Sequence, residues 1–161
     1  CGSEFSDELW ELQLPVFARS EVIGVGCAGG NGVPTLGIAS GEPVIGSTVD
    51  FVYDNAAVPQ FFPGPGAVAV GFSDESYQGL PLPLSLAAIG LPGCVLYHSN
   101  DLAFSVPVPV GGAQFTWPLS IPNNAAFLGQ EWFVQGLHLE FGGAGAWAAL
   151  SNAVGIRIGD Q

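Results

Sequence analysis

The sequence predicts an all-β chain, an antiparallel β-sandwich of Ig-like or jelly-roll type with about eight or nine strands and one internal disulfide. Apolar and polar residues alternate with period two from Leu36 onward, and no helical periodicity persists over ten or more residues. Gly (24) and Pro (13) together stand at about twice their usual share, so turns are frequent and strands short. Cys27 and Cys94 sit in the settings GVGCAGG and LPGCVLY, suited to a bridge between distant segments, with two free structural thiols as the alternative.

The strands follow in order. PTLGIAS is the first regular one, and in STVDFVYDN the side chains of Val49, Phe51 and Tyr53 share a face opposite Asp50, Val52 and Asp54. GAVAVGFS and CVLYHS come next, separated by a loop, GLPLPLSLAAIGLPG, that has room for one short turn of helix. LAFSVPV places Phe104, Val106 and Val108 on one face, and QFTWPLS does the same with Phe115, Trp117 and Leu119; VGG between them reads as a hairpin turn. EWFVQGLHLEF, AWAALSN and VGIRIG complete the set. Pro107, Pro109 and Pro118 cannot donate to a ladder and belong at edges or strand ends, while PQFFPGPG reads as a loop. In EWFV and WAAL both faces are apolar, so at least one of those faces is covered twice or forms an interface.

Composition sets the partners. Fourteen acids stand against two basic residues, Arg19 and Arg157, giving a net charge of −12. Phosphate backbones are bound by clustered Lys and Arg, so nucleic acid is excluded as a partner, and an anionic membrane surface is disfavoured. With no lysine there is neither Schiff-base chemistry nor a P-loop. Charged residues are 10% of the chain and hydrophobic ones 48%, so the exterior is neutral and partly apolar, which marks either an interface or an ordinary neutral Gly/Ser/Asn surface. Apolar runs are broken well short of a membrane span. A disulfide between Cys27 and Cys94 implies an oxidising, extracellular or cell-surface setting.

The sandwich domain is expected over 22–161, with 1–21 as an N-terminal extension. GSEF also matches a cloning scar over residues 1–5, whereas Cys1 followed by Gly2 and Ser3 reads as a lipidated mature start or an intermolecular disulfide. ELWELQLPVFA alternates as a strand, with Trp10, Leu12 and Leu14 on one face and Val16 following Pro15. Such a strand pairs either within its own sandwich or with the sheet of a neighbouring subunit.

The series GVGCAGGNGVPTLG, GLPLPLSLAAIGLPGC, IPNNAAFLG and SNAVGIRIG resembles a domain that recurs at the C-terminal end of secreted proteins of environmental bacteria. There the motifs run as GTGCPGSGGVPTL, GLPLPLDLAPLGAPGC, IPNNPALIG with an F-Y-x-Q strand, and SNG…IG. The resemblance spans about residues 22 to 161 and implies an all-β, disulfide-bonded extracellular module. Cys27 and Cys94 match its paired cysteines and Gln135 its strand glutamine. Ser85 stands where the family often has aspartate, and Trp132 and Phe133 precede Gln135.

Candidate chemistry is sparse. His98, Ser99 and Asp101 supply the residue types of a hydrolytic triad, but neighbours on a strand point to opposite faces and no G-x-S-x-G elbow exists. His138, on the same face as Trp132 and Val134, reads as a hydrogen-bonded structural histidine. Two distant histidines do not make a zinc site, and no metal or cofactor is expected, with Asp74 and Glu75 or Asn100 and Asp101 the remaining oxygen donors for Ca²⁺. Acid pairs for glycoside hydrolysis occur in no recognisable motif. Tyr97, Trp132 and Trp147 are the candidates for stacking on a sugar, with core packing as the alternative for each. The expectation is a non-enzymatic extracellular structural module that assembles with itself or another extracellular protein through its N-terminal strand; the alternative is a polysaccharide-binding module.

Overall fold

A computed structural model of the chain describes residues 14–29, 32–54, 64–108, 114–142 and 145–161. They form a nearly all-β, antiparallel structure with twelve strands. Eight strands have five or more residues: β1 (Arg19–Ile23), β2 (Thr35–Ser40), β3 (Thr48–Asp54), β4 (Gly64–Gly71), β9 (Leu102–Val108), β10 (Gln114–Ser120), β11 (Glu131–Gly142) and β12 (Gly145–Arg157). Four two-residue strands, β5 (Ser76–Tyr77), β6 (Leu80–Pro81), β7 (Leu84–Ser85) and β8 (Val95–Leu96), raise the number beyond the expected eight or nine. The five-stranded sheet runs β1-β12-β11-β4-β9 and the three-stranded sheet β10-β3-β2.

The alternation in β3 buries Val49, Phe51 and Tyr53 completely. They meet Val68, Val70, Val134, Val154 and Ile156 from the larger sheet, and this two-sided cluster is the main core. Aromatic rings pack within it and at its rim: Tyr53 stacks on Phe115 at 4.9 Å, and Trp132 meets Phe127 and the half-exposed Phe72 edge-on at 5.4 and 5.7 Å.

AWAALSN and VGIRIG are one continuous strand, not two. Ser151 and Asn152 look like turn residues, yet both are buried in β12, where they form a bulge: Gln135 pairs with Ala153 and Leu137 with Leu150, so two residues oppose Gly136. The Ser151 hydroxyl accepts the Gly136 N–H at 2.9 Å. The bulge reverses the alternation of β12. Val154, Ile156 and Ile158 face the main core, while Ala148 and Leu150, also even-numbered, belong to a second cluster with Cys27 and Cys94 on the opposite face.

Three other expectations change. LAFSVPV and QFTWPLS are not a hairpin, because β9 pairs with β4 and β10 with β3 in different sheets; the VGG turn lies outside the described residues. The glycines and proline of Gly64–Gly66 open β4 instead of extending the preceding loop. The sandwich begins ahead of residue 22, since Arg19–Ile23 pairs in full with Arg157–Ala153. The loop from 79 to 93 does carry a short 3-10 turn, at Ala87–Ile89.

The outer face of the larger sheet is covered by residues 72–101, clamped at two points. Cys27 and Cys94 form the disulfide, and the Gln135 amide donates to Val95 O at 2.9 Å while its oxygen accepts Tyr97 N–H at 3.3 Å. The bridge closes a 67-residue loop, for which chain entropy gives about 4 kcal/mol. The Cys27→Ala/Cys94→Ala double variant is therefore expected to lose about 4 kcal/mol in urea unfolding, and a loss under about 1 kcal/mol would contradict this role.

Candidate functional site

The outer cover does not close fully on the sheet. Between them lies a pocket of about 370 Å³. Its floor comes from the outer-facing residues of four strands: Ala67 and Ala69 of β4, Ala103 of β9, Leu137 of β11, and Ala148 and Leu150 of β12. Where Val68 and Val70 of β4 fill the main core, the alternating alanines leave room on the other side. The cover contributes Leu86, Ile89, Leu91 and Leu96, with Tyr77 and Asn100 supplying polar atoms. Among the described residues no charged one lines the pocket. This volume falls within the usual range for small-molecule sites.

A third clasp holds the cover beside the disulfide and Gln135. The Tyr97 hydroxyl accepts the Val25 N–H and donates to Val25 O, both at 3.0 Å. The Tyr97 ring lies across Gly24, where an added Cβ would come within 2.1 Å of it, so only glycine fits. Tyr97 is half-buried and committed to this clasp. Trp132 is a correction to the stacking expectation: it is 7% exposed and packed in the main core between Phe72 and Phe127, so its faces are closed to a sugar. Trp147 occupies β12 opposite Glu140, and its side chain lies outside the described residues.

Cys1, Trp10 and Leu12 also lie outside the described residues. Leu14 is 74% exposed. Val16 is held by its own chain: its N–H donates to Asp160 Oδ1 and its carbonyl accepts Asp160 N–H, each at 2.9 Å. The sequence strand ending at Val16 thus has its last residue fixed beside the C-terminus, and only the part up to Leu14 is left to pair elsewhere.

The triad residues do not converge. The Ser99 hydroxyl donates to Asp101 and accepts the N–H groups of Phe72 and Ser73 at 3.0 and 3.2 Å, so it serves the turn between β4 and the cover. Asp101 also accepts Phe72 N–H at 2.9 Å, and these bonds hold its carboxyl below the usual range. His98 is fully buried and its Nδ1 accepts Asn100 N–H at 3.1 Å, which places the neutral ring's proton on Nε2. Nε2 has no hydrogen-bond partner among the described residues. His138 is likewise buried, with Nδ1 at 2.7 Å from the Tyr53 hydroxyl. No group of three or more metal-ligating side chains occurs among the described residues. Asp74 and Glu75 are exposed.

The comparisons come out empty. The chain matches no family model, no curated protein and no solved structure. The site must therefore be read from its own chemistry. Among the described residues no helix is long and apolar enough to cross a membrane, and the disulfide suits an oxidising setting.

Sequence inspection named Cys27, Cys94 and Gln135 but missed the pocket that they frame. Its signal was present as AVAV in β4, small and large residues in strict alternation on a strand covered on both faces.

Burial pushes the His98 pKa down to about 4, against a smaller opposing pull from Asp101. The unfolded chain then binds more protons than the folded one between pH 6.5 and about 4, so His98 stabilises fully above that window and the contribution is lost as pH falls through it. Urea unfolding should lose about 3 kcal/mol between pH 7 and 4 from this group, with Asp101 adding in the same direction at the acid end. In His98→Gln the fall across that window is expected to flatten; an unchanged slope would contradict it.

Proposed function

We propose that this chain is a non-enzymatic extracellular structural module that assembles with its own copies by strand addition; the resemblance to a secreted appendage domain supports the extracellular setting. The observation that carries this reading is the outer edge of β9. Leu102–Val108 contains no charged residue, nothing among the described residues pairs with its outer side, and Leu102 and Phe104 are 47% and 40% exposed. Native sheets normally blunt such an edge.

The other three edges are blunted. β1 carries Arg19 and Glu21, and β10 carries Pro118. β2 is capped from β12: Asn152 accepts Leu36 N–H and donates to Leu36 O, both at 2.9 Å. On β9 the guard is Pro107, near one end.

The donor is the segment ahead of Leu14, where Trp10 and Leu12 continue the alternation. Its chain joins the sandwich at Val16, beside β1, and β9 is the opposite edge of the same sheet. Donor and acceptor at opposite ends make a head-to-tail contact, which propagates as an open filament instead of closing as a two-fold dimer. The polysaccharide reading is weakened with Trp132 in the core and Tyr97 clasped to Val25, and of its three aromatic candidates it keeps Trp147.

Light scattering under non-reducing conditions tests this. The full chain is expected as particles of many times 16.5 kDa, and both a chain beginning at Leu14 and Ser105→Lys on the β9 edge are expected as monomers. A monomeric full chain, or assembly that survives both changes, would overturn the proposal.

A further inference from the structure

We infer that the alanine-floored pocket on the outer face of the larger sheet is a binding site for a small, neutral, predominantly aliphatic molecule with one polar end. The site shares Ala103 with β9 but lies on the face of the sheet and not on its outer edge, and it does not depend on assembly. Three observations define the ligand.

Size comes first. At about 30 Å³ per water-sized group, a pocket of about 370 Å³ holds roughly a dozen non-hydrogen atoms. The space is built into the fold: Ala69 and Ala103 are a directly opposed pair on β4 and β9, and both point to the pocket side. A larger side chain at either position would fill it.

Lining chemistry comes second. The walls are aliphatic, so an apolar body gains by leaving water. Polar contact is confined to a few atoms. The Gln135 amide is committed to Val95 O and Ser151 O, and its oxygen to Tyr97 N–H. The Tyr77 hydroxyl accepts from Gln78 Nε2 at 3.1 Å and keeps its own proton to donate. That proton and the Asn100 side chain provide for one hydroxyl or carbonyl on the ligand, not for a polyol.

Charge comes third and excludes both signs. No basic residue lines the pocket, and the chain carries a net charge of −12, so a carboxylate ligand would be desolvated without a counter-ion and repelled besides. No acid among the described residues lines it either, so a buried ammonium would lack a partner there. A neutral molecule with the bulk of a ten-carbon alcohol meets all three conditions.

The probe is 1-naphthylamine, a neutral dye with about the bulk of a ten-carbon alcohol whose fluorescence responds to apolar surroundings, added to the full chain at pH 7.5. Saturable binding is expected, with displacement by 1-decanol and at least tenfold weaker displacement by decanoate and by decylammonium. Ala103→Leu and, separately, Ala69→Leu should each weaken dye and decanol binding at least tenfold while raising or preserving the thermal midpoint. Ala103 is exposed to solvent, so its variant remains informative if the more buried Ala69→Leu fails to fold. Light scattering on Ala69→Leu, which changes β4 and not the β9 edge, should show unchanged particle mass, which separates this site from the assembly contact. Absence of saturable dye binding, dye binding indifferent to Ala103→Leu, or decanoate competing as well as decanol would each overturn the inference.

Discussion

The structure depends on a single extra residue in β12. Because Ser151 and Asn152 together oppose Gly136, the strand changes which side its even-numbered residues face. Ile156 and Val154 then complete the core under the three-stranded sheet, and Leu150 and Ala148 complete the cluster around the disulfide. A regular strand would have sent Leu150 into the main core and out of the cluster around the disulfide. The bulge also leaves the Gly136 N–H to be satisfied, which the Ser151 hydroxyl does by accepting it while donating its own proton to Asn152 O at 2.6 Å. Gly136 is itself required, since an added Cβ would come within 2.3 Å of the Tyr53 ring.

From the bulge, polar side chains reach in two directions. Asn152 crosses the core side to cap β2 through both backbone groups of Leu36. Gln135, opposite Ala153 on β11, reaches the outer side and bonds Val95 and Tyr97 of the cover. Buried amides that satisfy backbone on a second layer fix the position of that layer, and leaving their partners unpaired costs more than the bonds themselves contribute. The sandwich and the pocket are thus two layers set on one strand pair. The Cys27–Cys94 bridge and the Tyr97–Val25 clasp then hold the outer layer near enough to roof the pocket without collapsing onto its alanines.

Much of the sandwich is legible in the sequence, because period-two alternation reports burial directly. Val49, Phe51 and Tyr53 in β3 are the clearest case, and all three are fully buried. Layer assignment is not legible in the same way. LAFSVPV and QFTWPLS have the pattern of hairpin partners, and only the three-dimensional pairing with β4 and β3 puts them in different sheets. Ser151 and Asn152 mislead for a physical reason: residues that usually satisfy backbone in turns here satisfy it inside a strand. Of the candidate site, the cysteines and Gln135 stand out in sequence, whereas the pocket arises from alanines that carry no chemical signature of their own. Trp132 shows the converse, an aromatic that suggests a binding face and serves the core.

Amide hydrogen exchange in two variants tests most directly whether one strand pair holds both layers by separate side chains. In Asn152→Ala the Leu36 amide should exchange roughly tenfold faster or more while Tyr97 stays protected, and in Gln135→Ala the pattern should reverse. Loss of protection at both amides in either variant, or at neither, would contradict the account.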